Sequence, residues 1–287
     1  MALAIRTEYW DDPKARRAFK EFMVTIHGLD LSEWEAGGFW DYAYTPFSFF
    51  DGGKIVSSLC VYSLEAIING RTTHLAQISS VGTLPAWRRK GLSRKLTNTG
   101  VEWARDSHEG VFLFADREAI PFYKACGFKP IDEYVEVVAA SKVPKRKGAV
   151  KLNPGVPHDL ARIYEYAKRR TPISAKFSIM NEKLIMFHCL HSLRDSVYEI
   201  PDLDCLAFLK RGQGRLRIYD IVGARVPFLK EFYPYVADPT DRTIEFHFHA
   251  DNLGLEEVET KVLRGNNPFV TDPFPVQRPV FPFTARA

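Results

Sequence analysis

An α/β protein with mixed sheets, built as two tandem halves, is what the sequence predicts, and three observations carry that expectation. Strand-period and helix-period segments alternate along the first half. A strand, a sharp basic loop and an amphipathic helix follow one another from Gln77 to Arg94. After a break rich in lysine, arginine, proline and glycine, the same order of elements begins again. At 287 residues, 46% of them hydrophobic, the chain has room for two domains with sizeable cores, divided as residues 1–141, a linker over 142–157, and residues 158–287.

Leu3 to Glu8 reads as a first strand. Asp11 or Asp12 caps a helix that starts near Pro13, lines Ala18, Phe19, Phe22, Met23 and Ile26 along one face, and stops at Gly28. Leu31 to Tyr44 sets Trp34, Phe39, Trp40, Tyr42 and Tyr44 among Glu33, Glu35 and Asp41, as a packed helix over a sheet edge or as part of a binding site. Phe47–Phe50 and Ile55–Ser63 form a hairpin through Asp51-Gly52-Gly53-Lys54, a turn that needs the positive φ of glycine. The chain turns again at Asn69-Gly70, and His74–Val81 is the strand that feeds the basic loop.

In that loop Pro85 ends the strand, and Arg88-Arg89-Lys90-Gly91-Leu92-Ser93 opens a helix whose Leu92, Leu96, Gly100 and Trp103 recur at helical spacing. The first four N–H groups of a helix lack internal partners, and the macrodipole adds about half a positive charge there. Gly91 and Ser93 keep bulk away, while Arg88, Arg89, Lys90, Arg94 and Lys95 attract anions from a distance. The stretch is therefore an anion site suited to a pyrophosphate. Val111–Ala115 is a short buried strand, Asp116–Ala125 a helix carrying Tyr123, and Gly127-Phe128 its left-handed stop with an apolar contact. Lys129–Ala139 alternates and is expected to close the first sheet.

The second half starts with helices over Asp159–Arg170 and Ala175–Leu193. Strands follow at Val197–Ile200, Cys205–Leu209 and Leu216–Val222, then a helix over Phe228–Tyr235 and a strand over Thr243–Ala250. Where a second phosphate loop would stand, the chain has Gly223-Ala224-Arg225-Val226-Pro227, without the arginine and glycine spacing of the first. His247 and His249 share a strand face, but no Cys, Asp or Glu stands in ligand spacing with them, so no metal is expected. The segment from Asn267 to Ala287, rich in proline and phenylalanine, is expected to run extended over the surface.

Two motifs now come together. Arg-x-x-Gly-x-small after Val81-Gly82-Thr83-Leu84-Pro85, and Ala115 to Phe128 with its Phe-Tyr-x-x-x-Gly-Phe ending, resemble the acyl-CoA loop and the later strand-to-helix segment of the GNAT acetyltransferase superfamily. The second half resembles a degenerate copy by element order alone. The pair is similar to the tandem part of the enhanced intracellular survival acetyltransferases, whose sterol-carrier-like domain the sequence does not contain. The resemblance implies acetyl-CoA as cosubstrate, with Val81, Gly82 and Thr83 beside the pantetheine arm and Arg88, Arg89, Lys90, Gly91, Leu92, Ser93 and Arg94 around the pyrophosphate. It adds Asp116 to the cofactor site and makes Tyr123 the general acid for the CoA sulfur; otherwise Tyr123 is a tyrosine that packs its helix onto the sheet.

The base does not carry over. Many members of the family have a Glu where this chain has Gln77, which takes no proton at neutral pH. Two candidates remain, His74 with an ordinary pKa near ~6.5 and the terminal carboxylate of Ala287, the group assigned that role in the tandem enzymes. The expected activity is direct acetyl transfer to the primary amine of a cationic small molecule, on the hint of Glu33, Glu35 and Asp41. The alternative is a CoA-binding regulator or scaffold without catalysis. The second half either shapes the acceptor pocket or forms a homo-oligomer.

Composition bounds the rest. A net charge of +4 suits a polyanionic cosubstrate rather than dedicated nucleic-acid binding, and the basic run Lys142–Lys151 reads as a solvated linker against a nucleic-acid or localisation patch. Cys60, Cys126, Cys189 and Cys205 form no Cys-x-x-Cys pair, which points to reduced thiols in the cytoplasm. Arg6 interrupts any signal-like start, and no run approaches the ~20 apolar residues of a membrane span, so no membrane partner is expected.

Overall fold

A computed structural model describes residues 3–287, with Met1 and Ala2 outside it. The first half runs β1 (Ile5–Thr7), α1 (Pro13–His27), α2 (Ser32–Ala36), β2 (Tyr44–Asp51), β3 (Lys54–Ile68), β4 (Arg71–Thr83), α3 (Leu92–Arg105), β5 (Val111–Phe114), α4 (Ile120–Ala125), β6 (Lys129–Pro130) and β7 (Glu133–Ala139). The second runs β8 (Val150–Lys151), α5 (Pro157–Lys168), β9 (Phe177–Ile179), α6 (Glu182–Leu190), β10 (Val197–Ile200), β11 (Cys205–Gly212), β12 (Arg215–Gly223), α7 (Leu229–Val236), β13 (Thr243–Phe246), β14 (Glu259–Leu263) and β15 (Pro268–Val270). Helix α1 starts where expected because the Asp12 carboxylate accepts the Lys14 and Ala15 amides and Pro13 needs no hydrogen bond there. Among the described residues no helix is long and apolar enough to cross a membrane.

Two mixed sheets result. The first has the order β1-β2-β3-β4-β5-β15-β6, with β9 paired to the far end of β3, and the second has the order β14-β7-β13-β12-β11-β10-β8. The β4/β5 and β12/β13 pairs are parallel. The two halves thus trade strands: β7 leaves the first half to sit between β13 and β14, and β15 comes back to sit between β5 and β6. Neither sheet is built from one of the expected domains alone.

Three expectations are corrected here. Of Lys129–Ala139 only Lys129–Pro130 joins the first sheet, because the carboxylates on β7 find their partners in the second half: Glu133 meets Arg286 and Asn266, and Glu136 meets His249 and the Ala250 amide. The stretch Ala175–Leu193 is not one helix. Its start pairs with β3 as β9, and Asn181 then caps α6 by accepting the Lys183 and Leu184 amides. Helix α6 is buried nearly all round, so apolar periodicity could not mark where it begins. The tail does not run over the surface. Phe269, Val270, Val280 and Phe281 are buried, and Phe281 stacks on Phe112 at 5.1 Å and meets Phe177 at 5.5 Å. One continuous apolar core accordingly spans both halves, from Phe19 and Tyr62 through Phe112 and Phe281 to Phe177 and Phe208.

Candidate active site

The site is a wedge in the first sheet. Strands β4 and β5 pair only at Ala76 with Val111 and Gln77 with Phe112, after which β4 runs on to Thr83 without a β5 partner. An irregularity opposite Ser58–Cys60 and a positive φ of 53° at Ser80 break the β3/β4 register just past the vertex. Beyond Gln77 the β5-facing edge of β4 has no β5 partner beside it, a gap that an extended amide-bearing ligand can fill as a strand would.

At the open end of the wedge stands the basic loop. Gly91 caps α3 at φ 77°, and a Cβ built there meets nothing within 4 Å, so the space above it is free for a ligand. Thr83, Arg88, Arg89, Gly91, Ser93 and Arg94 help line a cavity of about 280 Å³. A relay of hydroxyls, Ser57 to Thr83 and Thr83 to Ser93 at 2.7 Å each, ties β3, β4 and the first turn of α3 together. Arg88, Arg89, Lys90 and Arg94 stay exposed, with the Lys90 ammonium 4.5 Å above the Trp87 ring. The cavity therefore joins helix-end amides to exposed positive charge, which fits a pyrophosphate.

Tyr123 sits on α4, packed against Phe122 and Phe128 and only 7% exposed. Burial, and then the nearby Asp116 carboxylate, push its hydroxyl well above the ordinary tyrosine range, so it stays protonated at neutral pH. Asp116 is exposed at the start of the turn leading to α4. From α1, the His27 Nε2 would lie 3.3 Å from a Cβ on Gly82, and Ile26 would lie at 2.6 Å, so only glycine lets this helix close on β4. Burial lowers the pKa of His27. In sequence His27 follows the last apolar residue of an amphipathic face and looks like a solvent-facing helix end.

At the vertex stands Ala287. Ala287 donates its N–H to Gln77 Oε1 at 3.0 Å, and Gln77 Nε2 donates to an Ala287 oxygen at 3.2 Å. Gln77 is only 1% exposed. The position asks for a side chain that accepts and donates at once, which a carboxamide does and a carboxylate does not. Upstream, Arg286 pairs with the buried Glu133 and its carbonyl meets His188 Nε2 at 2.7 Å. A carbonyl only accepts, so His188 carries its proton on Nε2 and accepts from Ser192 through Nδ1 at 2.7 Å. Thr284 donates to the buried Asp220, itself paired to Arg170 at 3.2 Å.

Beside Ala287, between the two halves, lies a pocket of about 30 Å³ walled by Leu31, Trp34, Tyr44, Tyr62, Leu184 and Phe187, with Ser80 on its β4 side. His74 is not part of this group. It is exposed, opposite Glu65 near the start of β4, roughly 20 Å along the strand from Val81. The acids that hinted at a cationic acceptor are already paired: Glu35 with Arg16 and Lys20, Asp41 with Lys183, and Glu33 with Arg194. His247 and His249 bond different carboxylates, Glu245 at 2.9 Å and Glu136 at 2.7 Å, and no metal-binding cluster is found among the described residues. In the second sheet β12 and β13 also diverge, past Ile218 and Phe246. There the tail itself lies against them, Phe283 on Tyr219 at 4.8 Å and Thr284 on Asp220.

Comparison with known proteins agrees with this geometry. Residues 42–131, which hold β2 to β5, the basic loop and Tyr123, match the family model described as an acetyltransferase (GNAT) domain. A conserved protein of Enterococcus faecalis V583 described as a probable N-acyltransferase superposes with a TM-score of 0.54 at 11% identity, over 94% of this chain and 72% of that one. Eis1 from Mycobacterium abscessus gives 0.54 at 17% identity, over 94% and 73%. A GCN5-related N-acetyltransferase from Kribbella flavida gives 0.52 at 14% identity, over 93% and 71%. At these identities the likeness is one of fold. No curated protein matches the sequence. The family match over residues 42–131 marks an acyltransferase, and the solved structures share its fold. More narrowly, residues 42–131 are a GNAT acetyltransferase domain, set in a chain folded as two tandem GNAT-like units in the manner of Eis1.

Proposed function

We propose that the chain transfers acetyl from acetyl-CoA directly to a primary amine, with Tyr123 as general acid and the Ala287 carboxylate as general base. The observation that carries the reading is the placement of Ala287 on Gln77, at the vertex of a wedge whose other end is the basic cavity. The pyrophosphate of acetyl-CoA takes the Arg88–Arg94 loop and the pantetheine arm the free edge at Val81, Gly82 and Thr83, with Asp116 on the opposite side. The acceptor ammonium gives one proton to the Ala287 carboxylate, and the freed amine attacks the thioester carbon. As the carbon–sulfur bond breaks, Tyr123 protonates the departing thiolate and regains a proton from the acylated nitrogen. The products are the acetamide and the CoA thiol.

This role requires Ala287 to end the chain, which sets the test. A variant extended by a few residues past Ala287 keeps the anchors at Thr284 and Arg286 but moves the carboxylate. Its turnover is expected to fall roughly 10²- to 10⁴-fold while acetyl-CoA affinity is unchanged. Full turnover with the wild-type pH–rate profile would remove Ala287 from the mechanism.

A further inference from the structure

The pocket beside Ala287 says more about the acceptor than the charges around it. The polar tips of its aromatic walls are satisfied elsewhere: Trp34 Nε1 donates to the Lys183 carbonyl at 2.9 Å, the Tyr44 hydroxyl bonds Ser80 at 2.7 Å, and the Tyr62 hydroxyl donates to Asn181 at 3.2 Å. Apart from Ser80 and Ala287, what faces the pocket is ring surface, with Leu29, Leu31 and Leu184 beside it. Edge-to-face packing locks the rings, Tyr44 on Tyr62 at 5.3 Å, Trp34 on Tyr44 at 5.6 Å and Trp34 on Phe187 at 6.0 Å.

Its size is the second constraint. About 30 Å³ is far less than the roughly 150 Å³ of an apolar cavity that binds benzene. An ammonium and the first methylenes of a stem fit; a ring does not. Desolvated ring faces attract a cation. Of the acids nearby, Glu33, Glu35 and Asp41 are in ion pairs and Asp30 caps the Ser32 amide, while Glu182 stands outside the lining. A second positive charge a few bonds behind the first would therefore sit against this apolar lining with no acidic side chain as partner, and such burial is costly.

We infer that the acceptor is a slim primary alkylamine, one ammonium on an unbranched apolar stem that enters the pocket charge first, and not a polyamine, an aminosugar or an arylamine. This rests on the acetyltransferase reading above. The test is thiol release from acetyl-CoA with n-hexylamine, spermidine, glucosamine and benzylamine. The expected result is a kcat/KM for n-hexylamine at least ~10-fold above each of the others. Leu184→Ala, which widens the pocket from the second half, is expected to raise benzylamine relative to n-hexylamine by ~10-fold, in a variant whose circular dichroism matches wild type. Preference for spermidine, glucosamine or benzylamine in the wild type overturns the assignment and leaves acetyl transfer standing, as does an unchanged ratio in folded Leu184→Ala. No turnover on any of the amines takes both readings down.

Discussion

Replacing Gln77 by glutamate is expected to lower turnover, although it puts the residue common in the GNAT superfamily back at this position. In the wild type the side chain is buried and holds Ala287 at two points, accepting its N–H at 3.0 Å and donating to its oxygen at 3.2 Å. Gln77→Glu keeps the first bond and removes the donor of the second. A hydrogen bond to a charged group contributes about 1.5–3 kcal/mol. The new carboxylate would also lie within hydrogen-bond distance of the terminal one, and two carboxylates that close do not both ionise at neutral pH. One of them takes up a proton, and the acid limb of the pH–rate profile moves upward. Taking about 2 kcal/mol as the loss of correctly placed base, kcat falls roughly 30-fold. The assay is steady-state thiol release from pH 5 to 9 with n-hexylamine as acceptor, beside a direct measurement of acetyl-CoA affinity, which is expected to stay constant. A kcat at or above wild type, with the acid limb unmoved, would refute the reasoning and return the base to the strand position itself.

The other predictions concern the tail anchor and the cosubstrate cavity. Burial holds the His188 pKa down to about 4 from an ordinary 6.5, so the unfolded chain binds a proton that the folded one refuses; stability is full above pH 6.5 and is lost as pH falls toward 4, by roughly 2 kcal/mol at pH 5. Denaturant titrations at pH 7 and pH 5 should show that difference in wild type and not in His188→Gln, and equal losses in both would show that His188 is not its source. Gly91→Val is expected to abolish measurable acetyl-CoA binding, since it fills the space above the loop, and to cost about 1–2 kcal/mol of stability because a β-branched residue is strained at φ 77°; calorimetric affinity equal to wild type in a folded variant would place the pyrophosphate elsewhere. Tyr123→Phe should keep that affinity and lower kcat roughly 10²- to 10⁴-fold, and wild-type turnover would leave Tyr123 a packing residue.

The parts of the site that follow from local rules were legible in the sequence. The strand, loop and helix from Gln77 to Arg94 carry their own geometry, because a proline stop, a left-handed glycine and a basic helix start leave little freedom. Tyr123 could be placed because Gly127 and Phe128 end its helix on one side and the buried strand Val111–Phe114 fixes the other. The approach of His27 to Gly82 was not legible, since it joins positions 55 residues apart and nothing in the local sequence announces it. The ion pairs of Glu33, Glu35 and Asp41 were hidden for a similar reason: composition counts acids, but not the lysines and arginines that the fold brings to them.

The strand exchange is the deeper case. A short alternating strand declares which of its residues face a core, but it does not declare which sheet supplies the neighbours. Both Glu133–Ala139 and Pro268–Val270 fit beside a parallel strand that has diverged from its partner, and the first sheet and the second each offer such a place, next to β5 and next to β13. What separates the two outcomes is buried charge. Glu133 placed in the first sheet would be an unpaired carboxylate in a core, a cost of several kcal/mol, whereas in the second sheet Arg286 and Asn266 meet it. The same pairing draws Arg286 inward and so delivers Ala287 to Gln77. The exchange of strands and the arrival of the tail at the wedge are in this sense one event, decided by a glutamate and an arginine that lie 153 positions apart.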